Sequence, residues 1–158
     1  MGGNKYSNLQ LFWLVTLRVI IGWHFLYEGL IKLSNPNWSS YGYLMDSKGF
    51  LEGFYQMLAA NPERIEVINF LNIWGLIIIG FSLMLGLLTR PSIIAGIILL
   101  ISYYLSHPPF IGLTYSLPME GSYLIVNKTL IEMTAMAVLY VFPTSKVIGI
   151  DRLVFTVK

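Results

Sequence analysis

Apolar residues run almost unbroken from about Leu9 to Leu33. At roughly 1.5 Å per residue, that stretch is long enough to cross a hydrocarbon core of roughly 30 Å with some tilt. Three further runs follow, at about Val67 to Leu88, Pro91 to His107 and Val126 to Phe142. Each predicts a membrane-spanning helix, so the expected fold is all-α, an integral membrane four-helix bundle in a single domain over residues 1–158. A secretory signal peptide would have an apolar region of only about 7 to 15 residues and an Ala-x-Ala-like cleavage site. Neither feature fits here, and the first segment is expected to be retained.

The stretches between the runs are equally patterned. From Ser34 to Glu66 the chain turns polar and aromatic, with Asn35-Pro36 stopping the first helix and Trp38, Tyr41 and Tyr43 suited to the headgroup level. Within it Phe50, Leu51, Phe54, Met57 and Leu58 recur at spacings of three and four, which predicts a short amphipathic helix ended by Asn61-Pro62. Such a helix either lies on the membrane surface or packs as a lid on the bundle. Thr89-Arg90-Pro91 is so tight a connection that the second and third spans form an antiparallel hairpin. Pro108-Pro109 stops the third span, a loop from Phe110 to Leu124 follows, and Pro143-Thr144-Ser145 ends the fourth. Lys146 to Lys158 form a basic, partly apolar tail expected to lie along the interface. Lys5, Arg90, Lys146, Arg152 and Lys158 fall on the side of the termini, against Lys48 and Arg64 in the opposite loops. That bias places both termini in the cytoplasm.

Composition removes most other classes. The 158 residues are 56% apolar and only 11% charged, where soluble chains carry about a quarter charged residues. Mean hydropathy is +0.68. The bases are scattered and the net charge is +2, which argues against nucleic-acid binding. With no cysteine there is no disulfide, thiolate cluster or dithiol switch, so any electrons handled need a bound carrier.

Ionisable groups in hydrocarbon cost several kcal/mol unless paired or hydrated, which makes those within the spans informative. Arg18, His24, Glu28 and Lys32 share one arc of about 120° on the first span, an arc expected to face the bundle interior. The fourth span begins with Asn127, Lys128 and Glu132, the last two one turn apart. The topology brings Glu28, Lys32, Asn69, Asn72, His107, Asn127, Lys128 and Glu132 toward one extracytoplasmic vestibule, with Arg18 deeper. Its cations suit a small anion or a quinone carbonyl; its carboxylates and imidazoles suit proton transfer. Structural neutralisation of helix-end charges accounts for Glu28–Lys32 and Lys128–Glu132 equally well. Haem ligation by His24 and His107 is not expected, because their depths differ by most of a span, and His24 with Glu28 lacks the further ligands of a zinc site, so no metal is expected.

Arg18-Val-Ile-Ile-Gly-Trp-His-Phe-Leu-Tyr-Glu-Gly-Leu-Ile-Lys-Leu33 resembles the first-helix signature of the DoxX family. Val126-Asn-Lys-Thr-Leu-Ile-Glu132 and Pro143-Thr-Ser-Lys-Val-Ile-Gly-Ile-Asp-Arg-Leu153 resemble its last helix and tail. The resemblance implies a four-helix membrane bundle and a relationship to subunits of thiosulfate:quinone oxidoreductase. It points to Arg18, Glu28, Lys32, Asn127, Lys128 and Glu132. The expectation is a quinone-associated oxidoreductase subunit in which Glu28, His24 and Glu132 move protons, while Arg18, Lys32, His107, Asn127 and Lys128 hold the substrate or the bundle around it. Its partners would be the lipid bilayer, a small redox subunit and further copies of the chain. The rivals are a non-enzymatic assembly protein and a small anion or lipid carrier.

Overall fold

A computed structural model describes residues 6–117 and 124–155; Lys5, Lys158 and part of the loop before Leu124 lie outside the described residues. The first apolar run forms α1 (Asn8–Ser34), started by a capping box in which Ser7 and Gln10 satisfy each other's backbone N–H. Two short helices follow, α2 (Tyr41–Met45) and α3 (Glu52–Ala59), and then α4 (Pro62–Leu85) and α5 (Thr89–Ser106). After the loop come α6 (Lys128–Val141) and α7 (Asp151–Phe155). The described residues contain no strand.

α1, α4 and α5 are long and apolar enough to cross a membrane. α6, with 14 residues, rises only about 21 Å. The run from Val126 to Phe142 is shortened at both ends: Asn127 caps the helix by accepting from the Leu130 N–H, and Pro143 bars its continuation. α4 begins five residues before Val67. Asn61-Pro62 ends α3 and also starts α4, because the Asn61 side chain accepts from the Glu63 and Arg64 N–H groups and Pro62 loses nothing in the first turn.

α1 packs along α4, the α4–α5 hairpin packs on α6, and α6 returns to α1. Their shared core holds Phe25, Leu83, Ile93, Met136 and Leu139, all nearly inaccessible. Lipid tails are as apolar as these side chains, so close packing has to hold the helices together. Gly22, Gly29 and Gly80 allow it. A Cβ on Gly80 would lie 2.7 Å from both the Gly22 carbonyl oxygen and the Leu26 Cα. At the other end of the hairpin from its turn, α2 and α3 pack against the helices through a second cluster, in which Leu44, Tyr55 and Ala59 meet Ile65, Ile68 and Leu105.

The described part of the tail folds back onto the hairpin. The Ile150 N–H donates to the Leu85 carbonyl at 3.0 Å and the Asp151 N–H to the Gly86 carbonyl at 2.9 Å, which docks residues 149–151 beneath the α4–α5 turn. Gly86 takes a left-handed conformation there (φ 66°) and its backbone is in close contact with Gly149. Two ends are thus defined, a tail end and a loop end.

Candidate functional site

At the tail end, Arg18 is 2% exposed; it donates from Nη1 to Thr144 Oγ1 at 2.9 Å and from Nη2 to the Ile148 carbonyl at 2.8 Å. Asp151 completes the knot. Its carboxylate accepts from the Leu88 N–H at 2.7 Å and the Thr89 N–H at 3.3 Å, capping α5, whose own N-cap residue Leu88 provides no side-chain cap. Burial acts to raise the Asp151 pKa, but hydrogen bonds from Ser145, Leu88 and Thr89 outweigh it and hold the carboxyl below its ordinary value. Arg18 therefore ties α1 to the tail and stands apart from the other polar residues.

The second group lies on the seam between α1 and α6. His24 Nδ1 meets Glu132 Oε1 at 2.7 Å, with the His24 side chain 49% exposed and that of Glu132 14%. The expected inward orientation of the whole arc is corrected here. The buried face of α1 is Arg18, Ile21, Gly22, Phe25, Leu26 and Gly29, and on a helical wheel His24 lies roughly 130° from its centre, Glu28 roughly 90° and Lys32 roughly 50°. The stripe thus starts on the outside of the bundle and drifts inward toward the loop end. Glu28 is half-exposed and 3.8 Å from Lys32. Beside the seam an open apolar groove of about 480 Å³ runs along α6, lined by Leu17, Leu130, Thr134, Ala135 and Val138.

The third group fills the loop end. Lys32 donates to Asn72 Oδ1 at 3.1 Å and sits over the rings of Trp38 and Tyr103 at 5.2 and 5.6 Å. Asn72 in turn donates to the Tyr103 hydroxyl. One turn on, Ser106 Oγ contacts the Tyr43 hydroxyl at 3.1 Å, the Tyr103 carbonyl at 3.0 Å and His107 Nδ1 at 3.0 Å. His107 is buried with its ring stacked 4.0 Å from Tyr43 and 4.8 Å from the tilted ring of Tyr115. Its Nε2 has no hydrogen-bond partner and faces Asp46 Oδ2 at 4.0 Å. Asp46 holds the loop by accepting from the Ser116 and Leu117 N–H groups at 2.9 to 3.1 Å.

Burial lowers the His107 pKa, with Asp46 opposing in part, and pushes Tyr43 up to about 12. Burial also acts to raise the Asp46 pKa, yet the Ser116 and Leu117 hydrogen bonds win and hold it below the ordinary value.

Of the expected vestibule, Glu28, Lys32 and Asn72 come together, and His107 lies in the same end through Tyr103 and Ser106. Asn69 instead anchors the loop, accepting from the Ser40 N–H and hydroxyl at 2.8 and 2.7 Å, and Asn127 caps α6. Lys128 stands at the start of α6, one turn from Glu132. Sequence reasoning missed Tyr43, Asp46, Ser106 and Tyr115 around His107, and Thr144 and Asp151 around Arg18. The signal for the first set was a lone acid within an aromatic loop. For the second it was polar residues just past a helix-stopping proline.

A family model described as DoxX matches residues 13–108. The chain belongs to the DoxX family. The matched region runs from within α1 through α5, with Arg18, His24, Glu28, Lys32 and His107, and it stops short of α6 and the tail. No curated protein and no solved structure significantly matches this DoxX chain. Its three apolar helices and its family make it an integral membrane protein in contact with the lipid bilayer. Among the described residues no three His, Asp or Glu side chains are grouped to hold a metal ion.

Proposed function

We propose that this DoxX-family protein is a quinone-associated oxidoreductase subunit whose reactive surface is the α1–α6 seam. The observation that carries the reading is the His24–Glu132 pair, 2.7 Å apart with His24 half-exposed on a membrane-spanning helix, beside an apolar groove. A bare imidazole–carboxylate pair in hydrocarbon is costly, and a lipid-soluble ligand arriving laterally gives it a purpose. The seam fits a quinone in chemistry, with a polar donor for a carbonyl and apolar walls for the ring and tail.

The quinone would accept two electrons and two protons. His24, with Nδ1 engaged by Glu132, offers Nε2 to a carbonyl oxygen and donates a proton there. Glu132 holds the ring orientation and stabilises the imidazolium. Glu28, one turn nearer the loop end and 3.8 Å from Lys32, returns the proton from the aqueous side. Lys128, near Glu132, keeps the mouth of the seam cationic and suited to an anionic reductant such as thiosulfate, whose electrons reach the quinone through a small partner subunit.

In this reading α6 is the fourth span of a four-helix bundle in the bacterial inner membrane. The loop end is extracytoplasmic and both termini are cytoplasmic. A second reading, a non-enzymatic assembly protein, draws support from the loop end, where Lys32 and Asn72 already satisfy one another and no ligand is needed.

Anaerobic reduction of a soluble quinone analogue, followed optically with thiosulfate and with partner proteins retained, tests the proposal. His24→Gln and Glu132→Gln should each abolish turnover while the helix content and thermal midpoint stay put. Full turnover in both variants would overturn it, and so would folded wild-type complex that reduces no quinone.

A further inference from the structure

The inner face of α3 packs on Ile65 and Ile68 of α4 and Leu105 of α5, and the Tyr55 hydroxyl donates to the Ser102 carbonyl at 3.0 Å. Ser102 lies four residues before the end of α5, so that contact sits about 6 Å below the helix end. α3 therefore lies against the flank of the spanning helices and not on top of them.

Its outer face is apolar and bare: Phe54 and Met57 are half-exposed at helical spacing, and Phe50, in the turn two residues before the helix, is 76% exposed. Only Ala60 and Asn61 separate α3 from α4, whose lipid-facing side begins at once with Val67, Phe70 and Leu71, each about as exposed. The outer face of α3 is thus continuous with a surface that already meets lipid.

We propose that the outer face of α3 is sunk into the headgroup–acyl boundary of the bilayer, as a surface anchor fused to the spanning bundle. The depth suits the roughly 5–10 Å by which interfacial helices bury their apolar side. The charges flanking the face are Lys48, Glu52, Glu63, Arg64 and Glu66, two bases against three acids, so nothing recruits anionic lipid. The occupant is the apolar margin of any fluid bilayer, zwitterionic phosphatidylcholine included. Anchored there, α3 fixes α2 through Leu44 and Tyr55, and with it Tyr43 and Asp46, at the level of the water boundary. This inference rests on the membrane assignment and is independent of the quinone reading.

The chain has no cysteine, so single labels are unambiguous. Nitroxides at Phe54→Cys and Met57→Cys, in full-length protein in phosphatidylcholine vesicles, are compared with Asn37→Cys in the exposed loop and Ile98→Cys on the lipid side of α5. Relaxation by oxygen relative to a water-soluble nickel chelate should be several-fold higher at 54 and 57 than at 37, lower than at 98, and unchanged in high salt. A ratio equal to that at Asn37 overturns the proposal. Exclusion of both reagents would show a covering protein and overturn it too, as would release by salt. Each variant must keep the wild-type thermal midpoint, and Phe50→Cys, in the exposed turn that leads into α3, replaces any that does not.

Discussion

Replacing Asp151 by alanine removes the cap of a membrane helix without touching that helix. Its two oxygens accept the Leu88 and Thr89 N–H groups at 2.7 and 3.3 Å, and its charge partly offsets the buried Arg18 guanidinium. Loss of a helix cap costs about 1 to 2 kcal/mol, and stranding donors and a buried cation adds a similar amount, so Asp151→Ala should cost about 2 to 4 kcal/mol. Asp151→Asn keeps one acceptor and should cost about half as much. The carboxyl pKa is lower in the folded chain than in the unfolded one, so its contribution is complete above roughly pH 4 and is lost as pH falls through the folded value. Wild type and Asp151→Ala should therefore converge in acid. Reversible unfolding in mixed micelles of rising dodecyl sulfate content, followed by circular dichroism, measures the difference. An alanine variant within about 0.5 kcal/mol of wild type would refute the claim that the tail completes the fold.

Around His107 the facing groups are Tyr43 and Asp46 on the α2 side, Ser106 on α5 and Tyr115 in the loop. Because burial lowers the His107 pKa, loop closure is strongest above about pH 6.5 and weakens as pH falls through the folded value. Amide exchange at Ser116 and Leu117, corrected for intrinsic rates, should rise between about pH 7 and 5 and flatten in His107→Gln; pH-independent protection would discard the idea. Gly80→Ala should lower the thermal midpoint sharply by forcing α1 off α4, whereas Gly75→Ala, with nothing within 4 Å of its added Cβ, should leave it unchanged. Equal midpoints for the two would mean that the close approach is not what sets the packing. Lys32→Met leaves Asn72 Oδ1 without its donor and should cost about 1 to 3 kcal/mol in the same micelle titration; a variant as stable as wild type would show the contact to be incidental.

The spans were legible because hydrocarbon demands an unbroken apolar run, and the runs after Leu9 and Pro91 agree with α1 and α5 to within two residues. Which side of α1 turns inward was harder to read. In a membrane the outward side is apolar too, so polarity alone does not mark the interior, and His24 and Glu28 lie outside it although they share an arc with the buried Arg18. The better signal was steric: Gly22 and Gly29 share a face with Arg18, and it is that face which meets Gly80. The Arg18 knot was illegible because Thr144 and Asp151 lie beyond a proline in a stretch with no periodicity. Nothing local says that such a segment folds back. Asp46 and Tyr43 escaped for a related reason, since a five-residue helix such as α2 leaves too short a pattern to see.

The cap that Asp151 places on Leu88 spans 63 residues, and the bond from Arg18 to Thr144 spans 126. During synthesis, three apolar helices enter the membrane before either partner has left the ribosome. Until then the start of α5 is open and a buried arginine has no acceptor. The nascent chain is therefore held in an unfinished state, and residues 144–151 act as a closing clasp. A ribosome that stalls short of residue 151 leaves a product with all its apolar helices inserted and an uncompensated cation in lipid, the kind of defect that membrane quality control is built to find.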